Sequence, residues 1–511
     1  MEKKNNYYAI ASYVFYNYGT IGKFNFSSKK GKEETLERLM NEKELYNFHD
    51  SLEYYTIDEK DNSVLLRDII IDLTLYMSII DLIVTNKFHK VIFERCIFSD
   101  KMNFGDLLNL LEIKFNNCIF FKCFNMEFHN INFKLNVINI SKCLFTNGLY
   151  INGFKKCISS ITLSELMFTK SYNQKNIVKN AKIKIKDVYV KNFIFTTYQK
   201  HQVTNNMYKN ADLELVGNKI EELKISQCSQ ILICKCFKNI IGNAFIDISK
   251  SNCDLSFDND IISAPEEMQI VISNKYNKIS FSKVYINNLI RLLENNTEKE
   301  SILGNFYENI NELNICGPGY VVGINYIDYL KKYYKENKKN YKLINETIYN
   351  MSIILEQFTR GCSKEYKNSN YSLRDKINCL YNKYLFNMEL KNFIINKDRT
   401  RYNLFGLILE FIEQLIYRIS KYGTSGISVL FFSFIIILLF SFVYFLCQEC
   451  VGYFDCWNYS SMCFVAMGFF IDDCRMPVLC QYIGIFEAFL GVPLLGYFIS
   501  VETGKITVRN K

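Results

Sequence analysis

The sequence predicts a multidomain α+β membrane protein. A cytoplasmic right-handed parallel β-helix comes first, then a helical linker, then a C-terminal two-helix membrane hairpin. Three observations predict this. A pattern of large and small apolar residues recurs every 20-odd residues in the first two thirds of the chain. An uncharged run near the C-terminus is long enough to cross a bilayer. Lys and Arg crowd both flanks of the hairpin and nearly vanish from its loop.

Of the 511 residues, 49% are hydrophobic and 22% charged, so the chain can bury a core and is not globally disordered. Only 4 prolines occur, which excludes Pro-rich linkers and collagen-like chains. The formal charge of +9 comes with abundant Asn, Ile, Lys, Tyr and Phe, a compositional bias rather than a nucleic-acid footprint. The four histidines (His49, His89, His129, His201) form no metal or triad motif, and no phosphate-binding or nucleophile-elbow motif occurs. Cys234-Lys-Cys236 and Cys447-x-x-Cys450 lack the second pair that zinc requires. Catalytic residues, a metal site and a cofactor are therefore not expected, and neither is an enzyme or a nucleic-acid partner.

Residues 1–60 read as a mixed cap, with a strand over Tyr7–Tyr16 and a charged helix over Lys32–Tyr46. The first residues, Met1-Glu-Lys-Lys-Asn-Asn, are polar, so no secretory signal is expected.

Residues 61–320 carry the repeat. Phe93-x-x-Cys96-x-Phe98, Phe115-x-x-Cys118-x-Phe120 and Ile140-x-x-Cys143-x-Phe145 share one pattern, with Val190-x-x-Phe193-x-Phe195 and Ile225-x-x-Cys228 as looser copies. Short strands at such a period stack into a solenoid, with large and small inward residues aligned in columns. An ordinary β-rich domain is the alternative. The region resembles pentapeptide-repeat proteins in its stacked Phe/Leu-type and small positions, although their A-[DN]-L-x-x unit is absent.

Residues 321–421 read as helical. Ile348, Met351, Leu355 and Phe358 mark one helix face, with Gly361 placed as the residue after its end. Leu404–Ile419 is apolar but carries Glu410, Glu413 and Arg418, which suits an interfacial helix or a buried core helix.

Residues 422–511 form the membrane domain. Ile427–Leu446 holds no charge, and about 20 helical residues span the ~30 Å hydrocarbon layer. Tyr482–Ser500 is a second span, with Glu487 its single charge. Lys391, Lys397, Arg399, Arg401, Arg418 and Lys421 precede the first span, Lys505, Arg509 and Lys511 follow the second, and only Arg475 lies between. The positive-inside rule then places both termini in the cytoplasm and the loop outside. In that oxidising setting at least one disulfide is expected to join Cys447, Cys450 or Cys456 to Cys474 or Cys480.

The loop is not hydrophilic. Trp457–Ile471 is long and apolar and is followed by Asp472-Asp473, as in a short helix that dips back into the membrane. The order of span, short helix, extended segment, acid and span resembles the two-transmembrane pore-loop channels. Prokaryotic potassium-channel proteins with a pentapeptide-repeat region are the nearest likeness. Lys421-Tyr-Gly-Thr-Ser-Gly resembles the lead-in to their first helix, Tyr459–Ala466 their pore helix, and Phe486–Lys505 their inner helix.

The resemblance implies a homotetrameric cation-channel subunit with monovalent cations as its cargo, set in the cell membrane and gated by its cytoplasmic solenoid through an unknown ligand or protein. It implies a pore helix with Trp457, Ser460 and Ser461, and an inner helix with Glu487, Gly491 and Pro493. Gly491 with Pro493 would form a hinge or a passive kink. Glu487 would bond to Ser460 or Ser461 behind the pore helix. The filter positions would be Met467, Gly468, Phe469, Phe470, Ile471 and Asp472, with Asp472 and Asp473 at the outer mouth.

That filter departs from T-V-G-Y-G-D. Phe469 and Ile471 replace the glycines that let successive carbonyls face the ion, and the Thr hydroxyl is missing. The competing expectation is a membrane-anchored binding protein whose hairpin does not conduct.

Overall fold

The computed structural model describes residues 55–107, 110–128, 134–145, 147–168, 171–172, 178–179, 181–197, 211–226, 228, 231–249, 251–265, 267–273, 277–294, 306–340, 343–365, 371–395, 426–447, 452–465 and 478–509. The strand and helix expected within residues 1–54, and the Leu404–Ile419 helix, lie outside them. The chain divides into two units. One runs to Tyr329 and takes up Glu356–Lys364; the other holds Leu330–Leu355 and the chain from Glu365 onward.

In the first unit, strands such as Lys90–Glu94, Glu112–Asn116 and Val137–Ser141 bury every second residue. One apolar face on so short a strand cannot form a core alone, so successive coils stack. They pair in parallel within a 23-stranded sheet that winds as a solenoid. One buried column runs Leu66, Phe93, Phe115, Ile140, Leu163, Phe195, Ile225, Ile246, Ile270, Leu292. A second column stacks Phe98, Phe120 and Phe145, with ring centroids 4.7 and 4.9 Å apart and the planes within 4°.

The copy at Val190 is out of register with this frame. Phe195, not Val190, stands in the Phe93 column, and Val190 pairs with Ile158 and Ile220. The coil there is longer, so a motif aligned at constant spacing slips along the strand.

Arg95, Asn117 and Lys142 form the corners at φ of 54°, 55° and 52°. This left-handed conformation costs about 1–2 kcal/mol outside glycine. Each corner N–H donates to a carbonyl of the following coil, at Asn116, Ser141 and Ser164 over 2.9–3.1 Å. The next residue is Cys96, Cys118 or Cys143, fully buried. Its thiol donates back to the carbonyl of Leu66, Phe93 or Phe115, over 3.3–3.6 Å. Cysteine suits the place because it is small and still a donor. Burial holds the Cys96 and Cys118 thiols well above their usual range.

Later corners replace the thiol with an amide. Asn218 and Asn239 stack on Asp260 inside the solenoid. The Asn218 N–H and Nδ2 donate to Asn239 Oδ1 at 2.9 and 3.1 Å, and the Asn239 N–H and Nδ2 donate to Asp260 Oδ1 at 2.6 and 2.9 Å.

Four helices attach to this sheet or follow it: α1 (Leu73–Asn86), α2 (Tyr326–Asn337), α3 (Ile344–Glu365) and α4 (Tyr371–Ile395). Asp72 caps α1 by accepting from the Leu75 N–H at 2.8 Å. On α3, Met351 and Phe358 are buried, with Ile348 and Leu355 half-buried beside them. Gly361 does not end α3, which continues to Glu365. It lies where a Cβ would stand 3.3 Å from the Tyr320 ring, so its use is close packing rather than termination.

Candidate functional site

Three helices of the second unit form the candidate site: α5 (Gly426–Cys447), α6 (Tyr453–Phe464) and α7 (Val478–Arg509). Among the described residues, two helices are long and apolar enough to cross a membrane. These are Gly426–Cys447, with mean hydropathy 2.8, and Leu479–Thr503, with 1.7. Their outer faces leave large apolar side chains open, including Phe431 and Leu439 on α5 and Phe489 and Ile499 on α7.

The 12-residue α6 packs against both long helices. It carries Trp457, Ser460 and Ser461. Trp457 stacks on Phe454, with planes 12° apart, and meets Phe434 of α5 edge-on at 5.9 Å. Tyr459 meets Tyr444 of α5 edge-on at 5.0 Å.

Glu487, fully buried on α7, joins all three helices. Tyr444 Oη on α5 donates to Glu487 Oε2 at 2.8 Å. Ser460 Oγ on α6 is hydrogen-bonded to Glu487 Oε1 and lies 3.0 Å from the carbonyl oxygen of Ile437. A carboxyl in this place is expensive unless bonded, and here both oxygens have partners.

Two glycines set the approach of α7. At Gly484 a Cβ would stand 3.0 Å from Cys463 Sγ. At Gly491 it would stand 2.8 Å from the carbonyl carbon of Phe464, the last residue of α6. Helix α7 runs unbroken through Pro493. Gly491 thus stands at a close packing contact with α6 within a continuous helix. At the far end Glu502 sets its carboxylate beside Gly426, the first residue of α5, where the helix dipole favours an anion.

Cys447, Cys456 and Cys480 are free thiols in this structure, and Cys480 lies beside Cys447, one of its expected partners. They sit in one apolar cluster with Tyr444, Tyr459 and Cys463 and fill it as small hydrophobes. Cys450, Cys474, Met467, Gly468, Phe469, Phe470, Ile471, Asp472 and Asp473 lie outside the described residues. Among the described residues no cluster of His, Cys, Asp or Glu could hold a metal ion.

Sequence reading missed Tyr444, Gly484 and the Gly426–Glu502 contact. The available signal for Tyr444 was a phenol in a span whose other polar side chains are serines. It also missed the Asn218–Asn239–Asp260 stack, although an Asn or Asp two residues before an Ile recurs there every 21 residues.

No protein-family model, no curated protein and no solved structure matches this chain.

Proposed function

We propose that this chain is one subunit of a tetrameric cation channel, potassium-channel-like but with a non-standard filter. The two long helices cross the cell membrane with both termini in the cytoplasm. The solenoid, right-handed and pentapeptide-repeat-like, regulates the pore from that side by binding a ligand or protein. One observation carries this reading: a short helix held between two spanning-length helices by a buried carboxyl that bonds to both neighbours. An anchor needs only a span. A pore needs a short helix held rigidly behind the segment that lines it.

The residues after α6, Met467-Gly468-Phe469-Phe470-Ile471, lack the hydroxyl and the paired glycines of a potassium filter. Sodium and potassium should therefore pass at similar rates. The acidic pair Asp472 and Asp473 should exclude anions. The test is reconstitution of the purified protein, with reversal potentials read in mixed-ion gradients. A potassium-over-sodium preference above roughly tenfold, about 1.4 kcal/mol, would overturn the filter reading. Changing both acids to Asn should lower cation conductance most at low salt, where screening is weak.

The same altered filter favours a second reading, a membrane-anchored binding protein whose hairpin no longer conducts. A folded tetramer that passes no current would select it.

A further inference from the structure

We propose that Glu487 is held as a neutral carboxylic acid and that its proton fastens α6 to α7. The proposal holds whether or not the chain conducts. It rests on counting protons around Ser460. The Ser460 hydroxyl has one proton to give. Its oxygen lies 3.0 Å from the Ile437 carbonyl, which can only accept, and also within bonding distance of Glu487 Oε1. Both contacts are full two-centre hydrogen bonds if Ser460 donates to Ile437 and receives a proton from Glu487. Tyr444 then donates to the remaining carboxyl oxygen, Oε2, at 2.8 Å. Every donor in this chain of bonds faces an acceptor. With an ionised Glu487, Ser460 has one proton to divide between two acceptors, and both contacts weaken.

The surroundings agree with the count. Among the described residues, the groups facing this site are Tyr444 from α5 and Tyr459, Ser460 and Cys463 from α6, none of them a cation. The three helices carry only two cationic residues, Lys505 and Arg509. Lys505 lies about 27 Å from Glu487 along α7 at 1.5 Å rise per residue. Among the described residues a carboxylate here would be buried without a counter-charge, which proteins avoid by keeping the proton. Loss of that proton removes the donor to Ser460 and puts a bare charge between the helices. Proton occupancy at Glu487 thus governs how firmly α6 is held.

The test uses the full chain in lipid nanodiscs, grown with glutamate isotope-labelled at the side-chain carboxyl, and infrared spectroscopy. Glu487 is the one fully buried glutamate among the described residues, and the label silences any aspartic acid. The expected result at neutral pH is a label-shifted carbonyl band of a hydrogen-bonded carboxylic acid, absent from Glu487→Gln. Carboxylate bands alone for the labelled glutamates of the wild type would overturn the proposal, even if the Gln variant does not fold. An acid band that persists in a folded Glu487→Gln would overturn it too. As pH rises and the band disappears, the hydrogen-exchange protection factors over Tyr453–Phe464, with the intrinsic base-catalysed rate divided out, should fall. Unchanged protection factors through that transition would refute the fastening role.

Discussion

Gly491 of α7 lies against the carbonyl group of Phe464, the last residue of α6, with no room for a side chain between them. Five residues on, Gly496 has open space where its Cβ would be. The two glycines share a helix and differ only in this. Gly491→Ala should push α7 from α6 and lower the melting temperature of the detergent-solubilised protein, by an amount typical of overpacking, about 1–3 kcal/mol. Gly496→Ala should leave it within ~0.5 kcal/mol of wild type. Equal effects would mean that the α6–α7 approach is not tight.

Phe120 is sandwiched between Phe98 and Phe145 in the solenoid core. Phe120→Ala should cost about 3–5 kcal/mol, the range for emptying an aromatic site in a packed core. Lys122 is exposed two residues away, and Lys122→Ala should change stability by less than ~0.5 kcal/mol. Chemical denaturation followed by far-ultraviolet circular dichroism compares the two.

Asp260 ends the amide stack, and burial pushes its carboxyl up from 3.8 to about 6. A folded-state value raised above the unfolded one means that the acid form favours folding. That stability is fully present below the unfolded value near pH 4 and is lost as pH rises through about 6. Asp260→Asn sets an NH2 group against the Asp258 N–H that Oδ2 accepts at 3.0 Å, so it should trail wild type in acid; free of the titration, it should overtake wild type at pH 8, a relative gain of about 1–3 kcal/mol. Hydrogen exchange over Ile231–Phe237 and Ile240–Asp247 reads the difference. A variant less stable at pH 8 would show that the ionised carboxylate is the better partner for Asn239.

The proposed orientation rests on the charges flanking the two long helices. A membrane-impermeant thiol reagent applied outside intact cells should label Asp473→Cys and should miss Lys511→Cys. Labelling of residue 511 from outside would reverse the topology.

Much of this architecture is written in local pattern. The uncharged run Ile427–Leu446 determines a helix of spanning length by itself, because hydropathy and helical rise need no partner. The Phe93, Phe115 and Ile140 repeat determines a stacked sheet, because a half-buried strand of five residues must find another copy of itself. The sequence also marks Glu487 as a residue needing a bond, since a lone carboxyl in an apolar run must be satisfied. Only the tertiary structure decided which groups satisfy it. Tyr444 and Ser460 lie 43 and 27 residues away, and their meeting depends on how three helices are rotated about their axes. The Val190 register failed for a related reason. Coil length varies where the chain leaves the sheet, and pairing across coils, not spacing along the chain, sets the column. The hairpin cysteines show the same limit: their crowding suggested a covalent link, and only the packing decided that Cys447, Cys456 and Cys480 share one apolar cluster.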